Sequence, residues 1–259
     1  MSIAYIRNIF DYRNLIVQLS KKEIKIKYKS ALLGWIWSLL NPMLLMAVFS
    51  FVFTYIIRID IKNFPLFLLS GLFPWFFLSM CLTSACGSII ENASLIKKAF
   101  FPYEAIPLSV IMSNLFNFLI SMCLLTVFLC CFGIFPKLSW FAALYLIFMQ
   151  TVFITGLCLA VSALNTMYRD IRYIVELLLL VWFYATPIFY KIEFVPERFR
   201  FLFQLNPMSL FIDAFRSVLI EGAAPDIMTM GIIGLIAFSA WFAGMLIFNS
   251  YKPYFADHT

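Results

Sequence analysis

Five charge-free stretches, at 31–57, 64–90, 105–136, 138–168 and 227–251, recur along the chain, with charged residues confined to the segments between them. A helix needs about 20 mainly apolar residues to cross the hydrocarbon of a bilayer, and each stretch is long enough. A sixth run, 177–190, has only 14 uncharged residues. Extending it back past Glu176 to Tyr173 predicts a span over 173–190. Pro187 should bend or stop that helix, because its ring removes a backbone donor. The pattern predicts an all-α membrane protein with six transmembrane helices, at about 31–57, 64–90, 106–133, 139–166, 173–190 and 227–250, following an N-terminal segment 1–30.

The segments between spans have patterns of their own. Ile9, Tyr12, Leu15, Ile16, Leu19 and Ile26 share one side of a helical wheel, with Lys and Arg on most of the remainder. This suits an amphipathic helix in the membrane interface. Residues 24–29 also alternate with period two, but a strand there has no visible partner, so a helix is expected. Residues 93–101 predict a short helix, capped by Asn92 or Ser94 and stopped at Pro102. It carries Leu95, Ile96, Phe100 and Phe101 beside Lys97 and Lys98. Its apolar side needs a cover, either lipid headgroups or a groove on a partner protein. Segment 194–221 is apolar at mixed helical spacing on both sides of the Asn206-Pro207 turn signal. It predicts two short re-entrant helices at the outer face, with Arg198, Arg200, Asp213 and Arg216 near a mouth.

Composition supports the membrane reading. Hydrophobic residues make up 64% and charged residues 12%, against about 25% charge in soluble domains. The net charge of +6 could mean nucleic acid, but the chain lacks a polar surface for a phosphate groove. With six spans and the N-terminus inside, twelve Lys and Arg fall in inner segments and seven in outer ones. That bias places both termini in the cytoplasm. The six cysteines lie in apolar runs, where free Cys acts as a small hydrophobe. The single His is next to last, so no metal site or Ser/His chemistry is expected. Walker, HExxH, CxxC and GxSxG patterns are absent from the sequence, as are the paired intramembrane acids of a proton-coupled carrier. Gly156xxxAla160 and Ala240xxxGly244 permit close helix contact, a spacing common by chance. The residues thus describe a membrane protein without an engine of its own. A passive channel, a partner-driven subunit and an enzyme with an unrecognised site all remain open.

The junction from Tyr28 to Pro42, YKSALLGWIWSLLNP, resembles the membrane subunit of type-2 ABC transporters that export polysaccharides such as O-antigen and teichoic acid. Four further stretches resemble that family in order: FPLFLLSGLFPW from Phe64, the segment from Asn92 to Pro102, NTMYRDI from Asn165, and QLNPM from Gln204. The resemblance covers essentially the whole chain. It implies a homodimer bound to two copies of a separate ATPase subunit, which binds ATP and Mg; no cofactor belongs to this chain. It also implies a bacterial inner-membrane location and export of a lipid-linked glycan, with O-antigen foremost. Residues 93–101 would then be the coupling helix, and Ser94, Leu95, Lys97, Lys98, Phe100, Phe101, Pro102, Arg169 and Asp170 would meet the ATPase. The helices of 194–221 would be the outer gate.

Some side chains suit these implied roles chemically. Lys25, Lys27 and Lys29 could hold the lipid carrier's pyrophosphate where the arm meets span one, or anchor headgroups. Trp35, Trp37, Phe49, Phe53, Trp182, Phe183 and Tyr184 could offer rings to sugar faces in a channel, or serve as lipid belts and packing. Two other functions remain alternatives: a membrane-embedded glycosyl- or acyltransferase, and a same-fold exporter of small lipids or drugs.

Overall fold

The computed structural model describes residues 12–28, 36–56, 58, 61, 63–98 and 101–255, without the side chains of 26–28, 36–39, 41, 42 and 98. All the regular structure among the described residues is helical, with no strand. Helix α1 is Arg13–Tyr28, so the alternating segment 24–29 is helical as far as residue 28. Helix α2, Ile36–Phe51, continues into a π-turn, Val52–Ile56. Helix α3 is Phe64–Glu91, α4 Ala93–Lys98 and α5 Ala105–Cys131. Helix α6 is Phe141–Met167 and α7 Ile171–Tyr184. Two short helices follow, α8 Glu197–Gln204 and α9 Pro207–Arg216, and then α10, Ile227–Tyr251.

Among the described residues, four helical stretches are long and apolar enough to cross a membrane: Phe64–Glu91, Ala105–Cys131, Leu138–Met167 and Ile227–Tyr254. They match four of the expected spans to within a few residues. One expected span is described only in part, and one differs. Of 31–57, the apolar helix Met43–Ile56 belongs to the shorter class, and residues 31–35 lie outside the described part. The helix expected over 173–190 stops at Tyr184. The restricted backbone before Pro187 ends it early, and 14 residues rise only about 21 Å at 1.5 Å each.

Helix α3 is the hub, packed against α2, α5, α6, α7 and α9. Its first half is almost wholly buried, including Leu68, Leu72, Phe73 and Leu78. Side-chain amides of α6 stitch to its backbone at two levels. Gln150 Nε2 donates to the Pro74 carbonyl and Asn165 Nδ2 to that of Cys86, each at 2.8 Å. In apolar surroundings such bonds fix helix register. Helices α6 and α10 make the most extensive pairing. A Cβ on Gly156 would strike the backbone of Ala240, and one on Gly244 the backbone of Gly156. The small-residue spacing seen in the sequence is therefore the crossing point of these two helices.

Helix α1 is docked rather than merely laid on headgroups. It packs on α5, Leu19 is buried, and Ser20 Oγ donates to the Ser109 carbonyl at 3.1 Å.

Candidate functional site

Two regions carry the polar chemistry, one at each end of the bundle. At the α9 end, Asn206 caps helix α9 with all its amide valences used. Its Oδ1 accepts from Met208 N–H at 3.0 Å and from Trp182 Nε1 at 2.7 Å. Its Nδ2 donates to the Ala185 carbonyl at 3.0 Å and Thr186 Oγ1 at 2.9 Å. Pro207 at the first helical position costs no bond, because that N–H has no partner inside the helix. One capping residue thus pins α9 to the chain just beyond α7.

Arg216, at the end of α9, is 7% exposed. Its Nη1 donates to the Pro187 carbonyl at 2.7 Å and its Nη2 to the Ile188 carbonyl at 2.6 Å. The guanidinium lies 3.6 Å from the centre of the Phe67 ring, and Asp213 Oδ1 is 3.6 Å away. A Cβ on Gly71 would come within 3.0 Å of Nη2, so that glycine makes the room. Arg200 is tied locally, to the carbonyls of Val195 and Glu193. Arg198 is exposed and stands 4.6 Å over the Phe199 ring. Of the four charges expected at a mouth, then, Arg216 and Arg200 are engaged by the protein's own backbone, Asp213 faces Arg216, and Arg198 projects.

The expected aromatics divide. Phe49, Phe53, Phe183 and Tyr184 gather around Phe189, at ring centroid distances of 5.8, 5.5, 5.9 and 6.3 Å. Trp182 and Phe183 also contact Trp75. Sequence reasoning missed both Phe189 and Trp75. Phe189 follows the proline that ends α7, a position that no helical periodicity marks. Trp35 and the side chain of Trp37 lie outside the described residues.

At the other end, the described part of α4 is 93–98 of the expected 93–101; residues 99 and 100 lie outside the described residues, and Phe101 and Pro102 are not helical. Ser94 and Lys97 are exposed, Leu95 is half-buried and Ile96 is buried. Arg169 and Asp170 are exposed in the α6–α7 turn. Phe100 and the Lys98 side chain fall outside the description. Phe101 meets Tyr103 edge-on at 5.8 Å, Tyr103 lies 6.1 Å from Phe255, and Phe255 lies 5.2 Å from Phe248. Lys252 Nζ contacts buried Glu104 Oε1 at 2.7 Å. The chain after α4 is thereby joined to the end of α10, a link that no sequence signal announced.

A polar cleft of about 350 Å³ opens at this same end. Glu23 of α1, Thr83, Ser84, Ser88 and Glu91 of α3, Asn92, Val110, Ser113 and Asn114 of α5, and Arg172 of α7 line it. Burial pushes the Glu23 carboxyl above its ordinary range; Lys22 opposes the rise and Glu91 adds to it. Lys25 is exposed on α1, the side chain of Lys27 is not described, and Lys29 lies outside the described residues.

The architecture now has a name. Residues 14–220 match the ABC-2 type transporter family. The chain belongs to that family. It is 34% identical over 258 residues to an "O-antigen export system permease protein RfbA" from Klebsiella pneumoniae, covering 99% of both chains. A Myxococcus xanthus protein of the same name is 31% identical over 98% of this chain and 99% of its own. "Polysialic acid transport protein KpsM" from Escherichia coli is more distant, 20% identical over 94% of this chain and 96% of its own. An ABC-2 permease is a transport subunit whose ATPase is a separate subunit. The chain therefore serves transport rather than glycosyl or acyl transfer, and the missing nucleotide motifs are accounted for by the partner. The four apolar helices agree with a place in the membrane.

Proposed function

We propose that this chain is the channel-forming subunit of an ATP-driven exporter that moves a lipid-linked polysaccharide, foremost O-antigen, across the bacterial inner membrane. The observation that carries this reading is the end-to-end similarity, above 30%, to permeases named for O-antigen export. In this reading both termini are cytoplasmic, the α4 end faces the ATPase, and the α9 end faces outward. Six segments cross or enter the membrane, α2 and α7 among them. Exposed Lys97, Arg169 and Asp170 suit an ATPase contact, and α8–α9 form an outer gate.

The working unit is a homodimer. Helix α7 buries only Val175 and Leu179 within this chain and leaves Tyr173, Ile174, Leu177, Leu178, Val181 and Tyr184 exposed. Helix α2 leaves Leu44, Val48 and Phe51 exposed as well. The backbone beyond Tyr184 is irregular, and irregular backbone at membrane depth requires protein or water beside it. A second copy meets that requirement where lipid alone does not.

The decisive test is deletion of the gene in its host. Lipid-linked glycan should accumulate inside the cell and surface glycan should disappear, with both restored by the wild-type gene. Unchanged surface glycan would overturn the reading.

A further inference from the structure

The cleft at the α4 end has no role in the reading above, yet its lining is selective. Two carboxylates, four hydroxyls and the side-chain amides of Asn92 and Asn114 converge there beside Val110 and the Arg172 guanidinium. Glu91, exposed at the end of α3, is one of its two acids. Its carboxylate folds back along α3 over Gly87, where a Cβ would stand 2.6 Å from Oε1. Among the described residues it has no hydrogen-bond or ion-pair partner. Each nearby cation already has one partner, and exposed Arg172 still lines the cleft. Lys22 Nζ donates to Asn92 Oδ1 at 2.9 Å, and Arg172 Nε faces Glu176 Oε1 at 3.3 Å. Asn92 is held in turn by its Nδ2 bond to the Ser88 carbonyl at 2.9 Å.

These groups fit one chemistry better than its rivals. Carboxylates accept strong, charge-assisted bonds from hydroxyls. Ser, Thr and Asn side chains both donate and accept. Two acids against one arginine, itself paired with Glu176, leave the space without a net positive charge to attract phosphate. No group of three His, Cys, Asp or Glu suited to a metal ion occurs among the described residues. The volume lies within the usual range for small-ligand pockets.

We infer that this cleft is a subsite for the hydroxyl groups of a neutral sugar, with Glu91 as its principal acceptor and Gly87 as the residue that positions it. The inference rests on the polysaccharide reading and adds to it. The sugar next to the carrier is held by acids on α3 and α1, so the carrier's pyrophosphate must be held elsewhere.

The test is calorimetric titration of the purified complex with its ATPase, in lipid nanodiscs. The probe is a phosphate-free neutral oligosaccharide released from the host's own polysaccharide. The wild type should bind it. Glu91→Gln should weaken binding about tenfold, the loss of one charge-assisted bond. Gly87→Ala, which keeps the carboxylate but displaces it, should weaken binding severalfold. Recovery of the intact complex by size-exclusion chromatography separates lost binding from lost folding. Affinity unchanged in both variants would overturn the subsite. So would displacement of the sugar by inorganic pyrophosphate or phosphorylethanolamine at similar concentration. A wild type that binds no oligosaccharide, in a host that retains its surface glycan on deletion, would instead defeat the polysaccharide reading.

Discussion

The two ends of the bundle treat an arginine in opposite ways. Arg216 is buried, and its guanidinium is spent on the carbonyls of Pro187 and Ile188 and the face of Phe67. Arg172 is 60% exposed, bonded to a half-exposed Glu176, and borders an open cleft. The physical difference is desolvation. A buried charge is tolerated only when its hydrogen bonds are met, so Arg216 fixes the chain after α7 against α3 and α9. An exposed ion pair contributes little to stability, so Arg172 leaves its surroundings free to respond to a ligand. One end of this transporter subunit uses charge to hold a conformation, and the other keeps charge available.

The comparison breaks most visibly at Arg216. Arg216→Ala strips partners from two buried carbonyls and leaves Asp213 without its cation. Loss of one partner of a buried charge network costs about 3–5 kcal/mol. Thermal unfolding of the detergent-solubilised protein should show the largest drop of the substitutions considered. A melting temperature within a degree of wild type would mean that the clamp is ornamental. Lys252→Met should have the next largest effect. It takes the cation from Glu104, whose side chain is 1% exposed, and should cost about 2–3 kcal/mol. Because the pair joins the chain after α4 to the end of α10, ATPase stimulation by the membrane subunit should fall as well. Full stimulation at a lowered melting temperature would confine Glu104–Lys252 to stability.

How far each end could be read from sequence follows from the same physics. The four long spans were legible because apolar residues recur without charge for longer than a bilayer requires. The Asn206-Pro207 break was legible as a turn signal because its chemistry is local, whereas the capping bonds of Asn206 were not. The crossing at Gly156 and Gly244 was visible as spacing, but the spacing is common, and only tertiary contact showed that those backbones touch. Arg216 looked like a mouth residue because sequence cannot show that Gly71, far back in the chain, leaves space for its guanidinium. The cleft was illegible for a similar reason. Ser84 and Ser88 lie inside the expected span 64–90 and Glu91 just past it, and nothing in that run sets them apart until α1 and α5 close around them. The end of α7 was misjudged by six residues, since the run of apolar residues continues after the helix has stopped.

Glu23 tests whether the cleft is built for availability. Its carboxyl is raised from the ordinary value near 4.5, first by burial and then by Glu91, with Lys22 opposing; Arg172 is the other charged group lining the space. The folded state therefore holds a proton over a pH window, from that ordinary value up to the raised one, in which the unfolded chain has already lost it. Stability should fall as pH rises through that window and then level off, with the charged carboxylate opposing arm docking at neutral pH. Glu23→Gln should remove the slope and raise stability at pH 7 by less than about 1 kcal/mol, given solvent screening. Denaturation midpoints between pH 4.5 and 7.5 measure it. An identical slope in the variant would place the pH dependence elsewhere.

The smallest stability effect should come from the second arginine, and it sharpens the contrast most. Arg172→Gln breaks only an exposed pair four residues apart on α7, so it should change stability by no more than about 0.5 kcal/mol. Arg172 also borders the cleft, where its guanidinium can donate to a sugar oxygen. Oligosaccharide affinity should therefore fall while the melting temperature stays put. Arg216→Ala should show the reverse, a low melting temperature in a protein whose remaining folded fraction still binds sugar normally. If Arg172→Gln instead melted as early as Arg216→Ala, charge at the α4 end would be structural too, and the cleft would lose its claim to be a ligand site rather than a gap between helices.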